Sequence, residues 1–196
     1  MGTLRGPAAA LAACAVMSAC GVSQDNDQTT TTSPAAAEQT INPWDLPIEQ
    51  RPALFDPCVE IPIEAVEQGV GGPVEPSEQL HNHRPGELLS CGWKNDEVLF
   101  GALTSWKSLD DYMADSTYVL EKNVVENRSG FRVLSTTDTE SHVCRQLFIT
   151  PSGVIFVSLD LIGGLSSFKG EYFSDSCDIL DRVLEPILPR IPGGDS

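Results

Sequence analysis

The stretch "HVCRQLFITPSGVIFVSLDL", residues 142–161, sets two runs rich in β-branched and apolar residues on either side of Pro151-Ser152-Gly153. Such runs, bounded by turn residues, form strands, and a connection this short makes them antiparallel neighbours. Working outward, "LLSCGWK" (88–94) and "VLFGALTSW" (98–106) form a second strand pair about Asn95-Asp96. Leu89, Cys91 and Trp93 fall on one face of the first strand, because side chains alternate along a strand.

Helical signals punctuate these strands. Pro62 suits a first helical turn, Ile63, Val66 and Val70 follow near helical spacing, and Gly69 reads as a stop, which predicts a helix from Pro62 to about Gln68. In "SLDDYMADS", Ser108 and Asp111 make a capping pair ahead of an apolar stripe of Leu109, Tyr112 and Met113. The last helix is expected in "SDSCDILDRVLEPILPRI", with Asp175 or Ser176 as cap and Ile179, Leu180, Val183, Leu184, Ile187 and Leu188 as its buried face. Pro186 is expected to kink it and Pro189 to end it. Between these, "EPSEQLHNHRPGE" (75–87) reads as a surface loop, Tyr118 to Glu126 fits helix or strand, Asn127 to Gly130 reads as a turn, and the chain is extended from Phe131. The order predicts an α+β fold: an antiparallel sheet with helices packed on one face, held by two disulfides.

The N-terminus carries a different kind of signal. Arg5 precedes an uncharged run of small and apolar residues from Gly6 to Ala19, and Met17-Ser18-Ala19-Cys20 has the form of a bacterial lipobox. Residues 1–19 are expected to be a signal peptide, with Cys20 lipidated. Leu11-Ala12-Ala13-Cys14 is a competing box, but it leaves an apolar segment shorter than the roughly 7–15 residues a signal needs. Two acyl chains hold a protein stably where one does so marginally, at about 0.8 kcal/mol per buried methylene. Residues 20–50, rich in Thr, Ser, Gln and Asp, would form a tether reaching on the order of 30 Å, and residues 51–196 the globular domain. The expected location is the extracytoplasmic face of the cell membrane.

With 28 acidic and 12 basic residues the net charge is −16. A surface this negative repels phosphate backbones, so no nucleic-acid partner is expected, and membrane residence falls to the lipid anchor. The search for chemistry is short. No G-x-S-x-G elbow, P-loop, H-E-x-x-H or EF-hand pattern occurs, so no catalytic residue, no metal and no cofactor is expected. The leading expectation is a noncatalytic binding or accessory module whose partner is an envelope protein or lipid, with Trp106, Tyr118 and Phe131 as candidate surface aromatics. One alternative is a carrier of an apolar lipid in a cavity between sheet and helices, on the order of 300–1,000 Å³ or more. A remote alternative is a zinc enzyme built from His81, His83, Glu87 and His142.

"FDPC" (55–58), "SCGW" (90–93), a cysteine within the central hairpin and "CDILDRVLEPILP" (177–189), behind a lipoprotein signal and a Thr/Ser tether, together resemble an actinobacterial lipoprotein family, domain of unknown function 3558. The resemblance covers most of the chain after residue 53 and implies an envelope location without implying a reaction. An even number of cysteines in an exported domain implies bridges, and Cys58, Cys91, Cys144 and Cys177 allow three pairings. Their order alone does not choose among them. With Cys58 just before the first helix, Cys91 on the first strand, Cys144 on a hairpin strand and Cys177 opening the last helix, the expected bridges are Cys58 with Cys91 and Cys144 with Cys177.

Overall fold

Short-range chemistry sets the ends of each helix. In the computed structural model, which describes residues 41–137, 142–164, 167–173 and 175–193, the carboxylate of Asp56 accepts the Cys58 N–H at 3.0 Å and starts α1 (Pro57–Glu60). Pro57 sits at the first helical position, where its missing N–H costs nothing. After Ile61 and Pro62 comes α2 (Ile63–Val70), which ends where Gly71 turns left-handed (φ 77°). Three strands follow: β1 (Glu75–Pro76), β2 (Asn82–Arg84) and β3 (Leu88–Lys94). Next come β4 (Val98–Ser105), α3 (Leu109–Ala114), β5 (Tyr118–Val125) and β6 (Arg128–Ser135). The central hairpin is β7 (Val143–Thr150) and β8 (Gly153–Leu161). A small hairpin of β9 (Ser167–Phe168) and β10 (Glu171–Tyr172) precedes α4 (Ser176–Leu184), whose cap is Asp175.

The main sheet is antiparallel throughout, in the order β1-β3-β4-β8-β7-β6-β5, with β2 also on β3. Its centre is the hairpin that the sequence marks most clearly. Along β8, Ile155, Val157, Leu159 and Leu161 point into the main core, where they meet Val66 and Val70 of α2 and Ile179, Leu180, Val183 and Leu184 of α4. Each such side chain contributes roughly 1.5–3 kcal/mol when fully buried. The alternate residues Val154 and Phe156 point the other way, where Tyr112 of α3 stacks on Phe156 with ring centroids 6.3 Å apart. The main helices thus share one face, while the six-residue α3 caps a smaller cluster on the other.

The two faces are shaped by close approach at glycine. A Cβ on Gly69 would overlap the Val183 carbonyl, so α2 and α4 cross at backbone distance there. On the opposite face Gly92 and Gly101 pair across β3 and β4, and Leu80 lies over both.

Several local expectations change. Cys58 lies inside α1 rather than ahead of the first helix; four residues are too few to show a helical period. Gly69 is interior to α2, kept by its contact with α4, and the stop is Gly71. Residues 75–87 are not a plain loop: β1 and β2 both add to the edge of β3, with a 3-10 turn at Glu78–Leu80 between them. The Tyr118–Glu126 ambiguity resolves as strand, and the turn into β6 lies earlier than Asn127–Gly130, with Glu126 at φ 53°. Helix α4 stops at Leu184 instead of kinking at Pro186, and a 3-10 turn at Leu188–Arg190 follows. Ile187 and Leu188 remain buried as expected.

Candidate binding cleft

Strands β6 and β7 are eight residues each, yet they pair only at Phe131 with Leu147 and Arg132 with Gln146. Beside the β5–β6 turn, where that pairing has run out, lies a cleft of about 890 Å³. Lys122, Asn123, Asn127, Arg128 and Ser129 give it polar walls, and Val124, Phe131 and Ile149 give it apolar ones. Arg128 is held in place: its guanidinium lies over the Phe148 ring at 5.8 Å and donates to the carbonyl of Ile191 at 2.8 Å. The C-terminal segment is thereby drawn to the rim, where Gly193 also lines the cleft.

A buried polar pair lies on the opposite face of the sheet from Lys122, Val124, Phe131 and Ile149. Gln146 is fully buried, and its Oε1 accepts from Asn123 Nδ2 at 3.0 Å. Its Nε2 has no acceptor among the described residues. An amide left so is costly unless water or a ligand group reaches it. Gly130 packs closely against it, since a Cβ there would stand 2.6 Å from Nε2. Charge adds a preference. The charged side chains among the cleft's described lining residues are Lys122 and Arg128, in a chain of net charge −16. A lysine such as Lys122 on the wall of a cleft favours ligand groups of the opposite sign.

The residues singled out from sequence fall elsewhere. Cys14 and Cys20 lie outside the described residues. Cys58 bridges to Cys91 and Cys144 to Cys177, with Cα–Cα distances of 5.1 and 5.0 Å, fastening α1 to β3 and α4 to β7. His81 and His83 are exposed beside the Leu88–Ser90 end of β3, and Glu87 pairs with Arg84 at 3.4 Å. His142 lies at the far end of the sheet, 3.8 Å from Asp160, whose strand neighbour Leu99 pairs with Lys94. His81 instead approaches a sulfur: its Nδ1 is 3.5 Å from Sγ of Cys58, and with Cys91 these form the one group of three potential metal ligands found among the described residues. Trp106 is buried against Leu54 and Leu89 and donates to the Pro52 carbonyl at 3.1 Å. Tyr118 and Phe131 pack against the α3 cluster, though Phe131 also borders the cleft. Between the sheet and its main helices, Phe55, Phe100, Phe148, Ile155 and Leu159 are fully buried side by side.

Apart from Phe131, the cleft residues were not legible as a site in the sequence, since Lys122–Val124, Asn127–Phe131, Ile149 and Gly193 converge only through the fold. Gln146 left one trace, a polar residue at a core-facing position of "VCRQLFIT".

No curated protein and no solved structure matches this chain. A family model described as "Protein of unknown function (DUF3558)" matches residues 9–190, most of the chain, and the protein belongs to that family.

Proposed function

We propose that this protein is an exported lipoprotein, anchored through Cys20 at the outer face of the cell membrane, that acts as a noncatalytic binding module. The observation that carries the binding part is the cleft beside β5 and β6, which brings the polar Lys122, Asn123 and Asn127 together with the apolar Val124, Phe131 and Ile149. That chemistry suits an envelope component bearing an anionic or hydroxyl-rich group beside an apolar part. The close packing between sheet and main helices favours a surface binder over a carrier that encloses its lipid.

A photo-crosslinking residue at Val124, in the full-length lipoprotein, tests the cleft. Val124 lines it, whereas Val59 is exposed on α1 and serves as the control position. Products formed from position 124, absent from position 59 and weakened by Lys122→Glu, support the reading; identical products from both positions, or none from position 124, overturn it. The anchor is tested separately by cell fractionation. Cys20→Ser should leave an unlipidated precursor or release the protein, and Cys14→Ser should leave it membrane-bound; the reverse result would move the lipidation site to Cys14.

A further inference from the structure

We infer that Cys58, Cys91 and His81 form a redox-gated site for a thiophilic divalent cation such as Zn²⁺: closed as a disulfide, and opened as a three-ligand site when that disulfide is reduced. The ligand atoms of the three residues all lie within 4.8 Å of one another. They come from three segments that the fold has already fixed. Cys58 is on α1, whose Asp56 cap holds the Cys58 N–H; Cys91 is in the middle of β3; His81 leads into β2, which pairs with β3 at Asn82 and Ser90.

The spacing fits the metal. Zinc takes thiolate sulfur at about 2.3 Å and imidazole nitrogen at about 2.0–2.1 Å in tetrahedral geometry, which sets sulfur and nitrogen about 3.5 Å apart. The Cys58 Sγ to His81 Nδ1 distance is 3.5 Å before any ion is bound. The two sulfurs must separate to take up a metal, and breaking their bond frees them to do so. Two protein thiolates and one imidazole leave a fourth position for water, as in zinc sites that keep an open coordination place. The other bridge lacks this character: the group donating to Cys144 Sγ, at 3.0 Å, is Arg132, which has no lone pair for a metal.

The chemistry balances with a low-molecular-weight thiol as reductant. Two molecules of the thiol are oxidised to one disulfide as the Cys58–Cys91 bond takes up two electrons and two protons by exchange. Zn²⁺ then binds both sulfurs as thiolates, and the two protons pass to solvent. Cys58 is only partly buried and His81 is exposed, so the reductant and the ion share an open approach.

The test uses the full chain and Zn²⁺ alone, before and after reduction with a phosphine, which competes little for the metal. The oxidised chain should hold no stoichiometric zinc, and the reduced chain one ion. Affinity should fall at least tenfold in His81→Ala and be unchanged in His83→Ala. Co²⁺ in place of Zn²⁺ should give a thiolate-to-metal absorption band only after reduction. The inference is overturned if the reduced chain takes up no zinc, if the oxidised chain binds equally well, or if His81→Ala binds as tightly as the natural chain. Loss of the fold on reduction that zinc does not restore overturns it as well.

Discussion

Arg132 on β6 reaches across to α4 and donates from one Nη to both carboxylate oxygens of Asp181, each at 3.0 Å, while its other Nη lies 3.0 Å from Sγ of Cys144. The two ends of this pair are unequally placed. The Arg132 side chain is 12% exposed and that of Asp181 39%. Removing the carboxylate therefore strands a nearly buried cation, whereas removing the cation leaves an anion that water can reach. Asp181→Ala should cost roughly 1–3 kcal/mol, below the value for a fully buried pair because of that exposure, and Arg132→Met less than about 1 kcal/mol. Urea unfolding of both variants gives the order directly. If Arg132→Met is the more damaging change, the guanidinium acts through its packing and its sulfur contact instead.

The crossing of α2 and α4 makes a second test. Ala is the better helix former by about 1 kcal/mol, so Gly69→Ala would stabilise an isolated α2. In the folded protein the new methyl group meets the backbone of Val183, and overpacking of this kind costs roughly 1–3 kcal/mol before any relaxation. The expected net result is a lower thermal midpoint, by about 2–4 °C for each kcal/mol lost. Val183→Ala should not rescue it, because the obstacle is a carbonyl that every residue carries. Rescue would show that the side chain of Val183, not its backbone, sets the distance.

The contrast between fold and cleft follows from where each signal resides. β7, β8, β3 and β4 were legible because apolar runs bounded by turn residues are local properties, and α4 because its paired apolar positions are. Cys58's helix was not, since α1 spans four residues and depends on Asp56 and the bridge to Cys91. β5 stayed ambiguous in "YVLEKNVV" because it is an edge strand with little burial, and only its eight-residue pairing with β6 decides it. The cleft is less local still, arising from how little of β6 pairs with β7.

Acid should weaken α3 in a traceable way. The Asp111 carboxylate accepts from the Ser108 hydroxyl at 2.6 Å and from the Ser108 N–H at 2.7 Å, and these bonds hold its pKa below the usual carboxylate value. A lowered folded-state pKa means that the cap contributes fully above the unfolded value, about 3.9, and that the contribution is lost as pH falls through the folded value. Asp115 adds in the same direction through its bonds to Thr117. Ser108→Ala should cost about 1 kcal/mol at neutral pH. Asp111→Ala should also be less stable than the natural chain at pH 7, and the gap should narrow below about pH 4. Unfolding free energies at pH 7, 5 and 3 measure that gap; a constant difference would show that the carboxylate's charge plays no part.

The two bridges close loops of equal span, 33 residues each, so the chain-entropy estimate is the same for both, about 3.7 kcal/mol. What differs is what each bridge holds in the folded state. Cys144–Cys177 fastens α4, which also docks through the fully buried Ile179, Leu180, Val183 and Leu184. Cys58–Cys91 fastens α1, a four-residue helix whose own buried residue is Pro57. Replacing either pair by alanines should lower global stability by a similar amount, a large share of the roughly 5–15 kcal/mol typical of a domain. Local behaviour should diverge. In native-state hydrogen exchange, amides of α1 should lose protection in Cys58→Ala/Cys91→Ala, while α4 should stay protected at the global level in Cys144→Ala/Cys177→Ala, because its apolar face remains seated. Peptide mapping without reductant fixes the reference state, with Cys58 linked to Cys91 and Cys144 to Cys177. Early exchange of α4 in its own variant, with α1 unchanged in the other, would show that the bridge and not the buried face keeps α4 on the sheet.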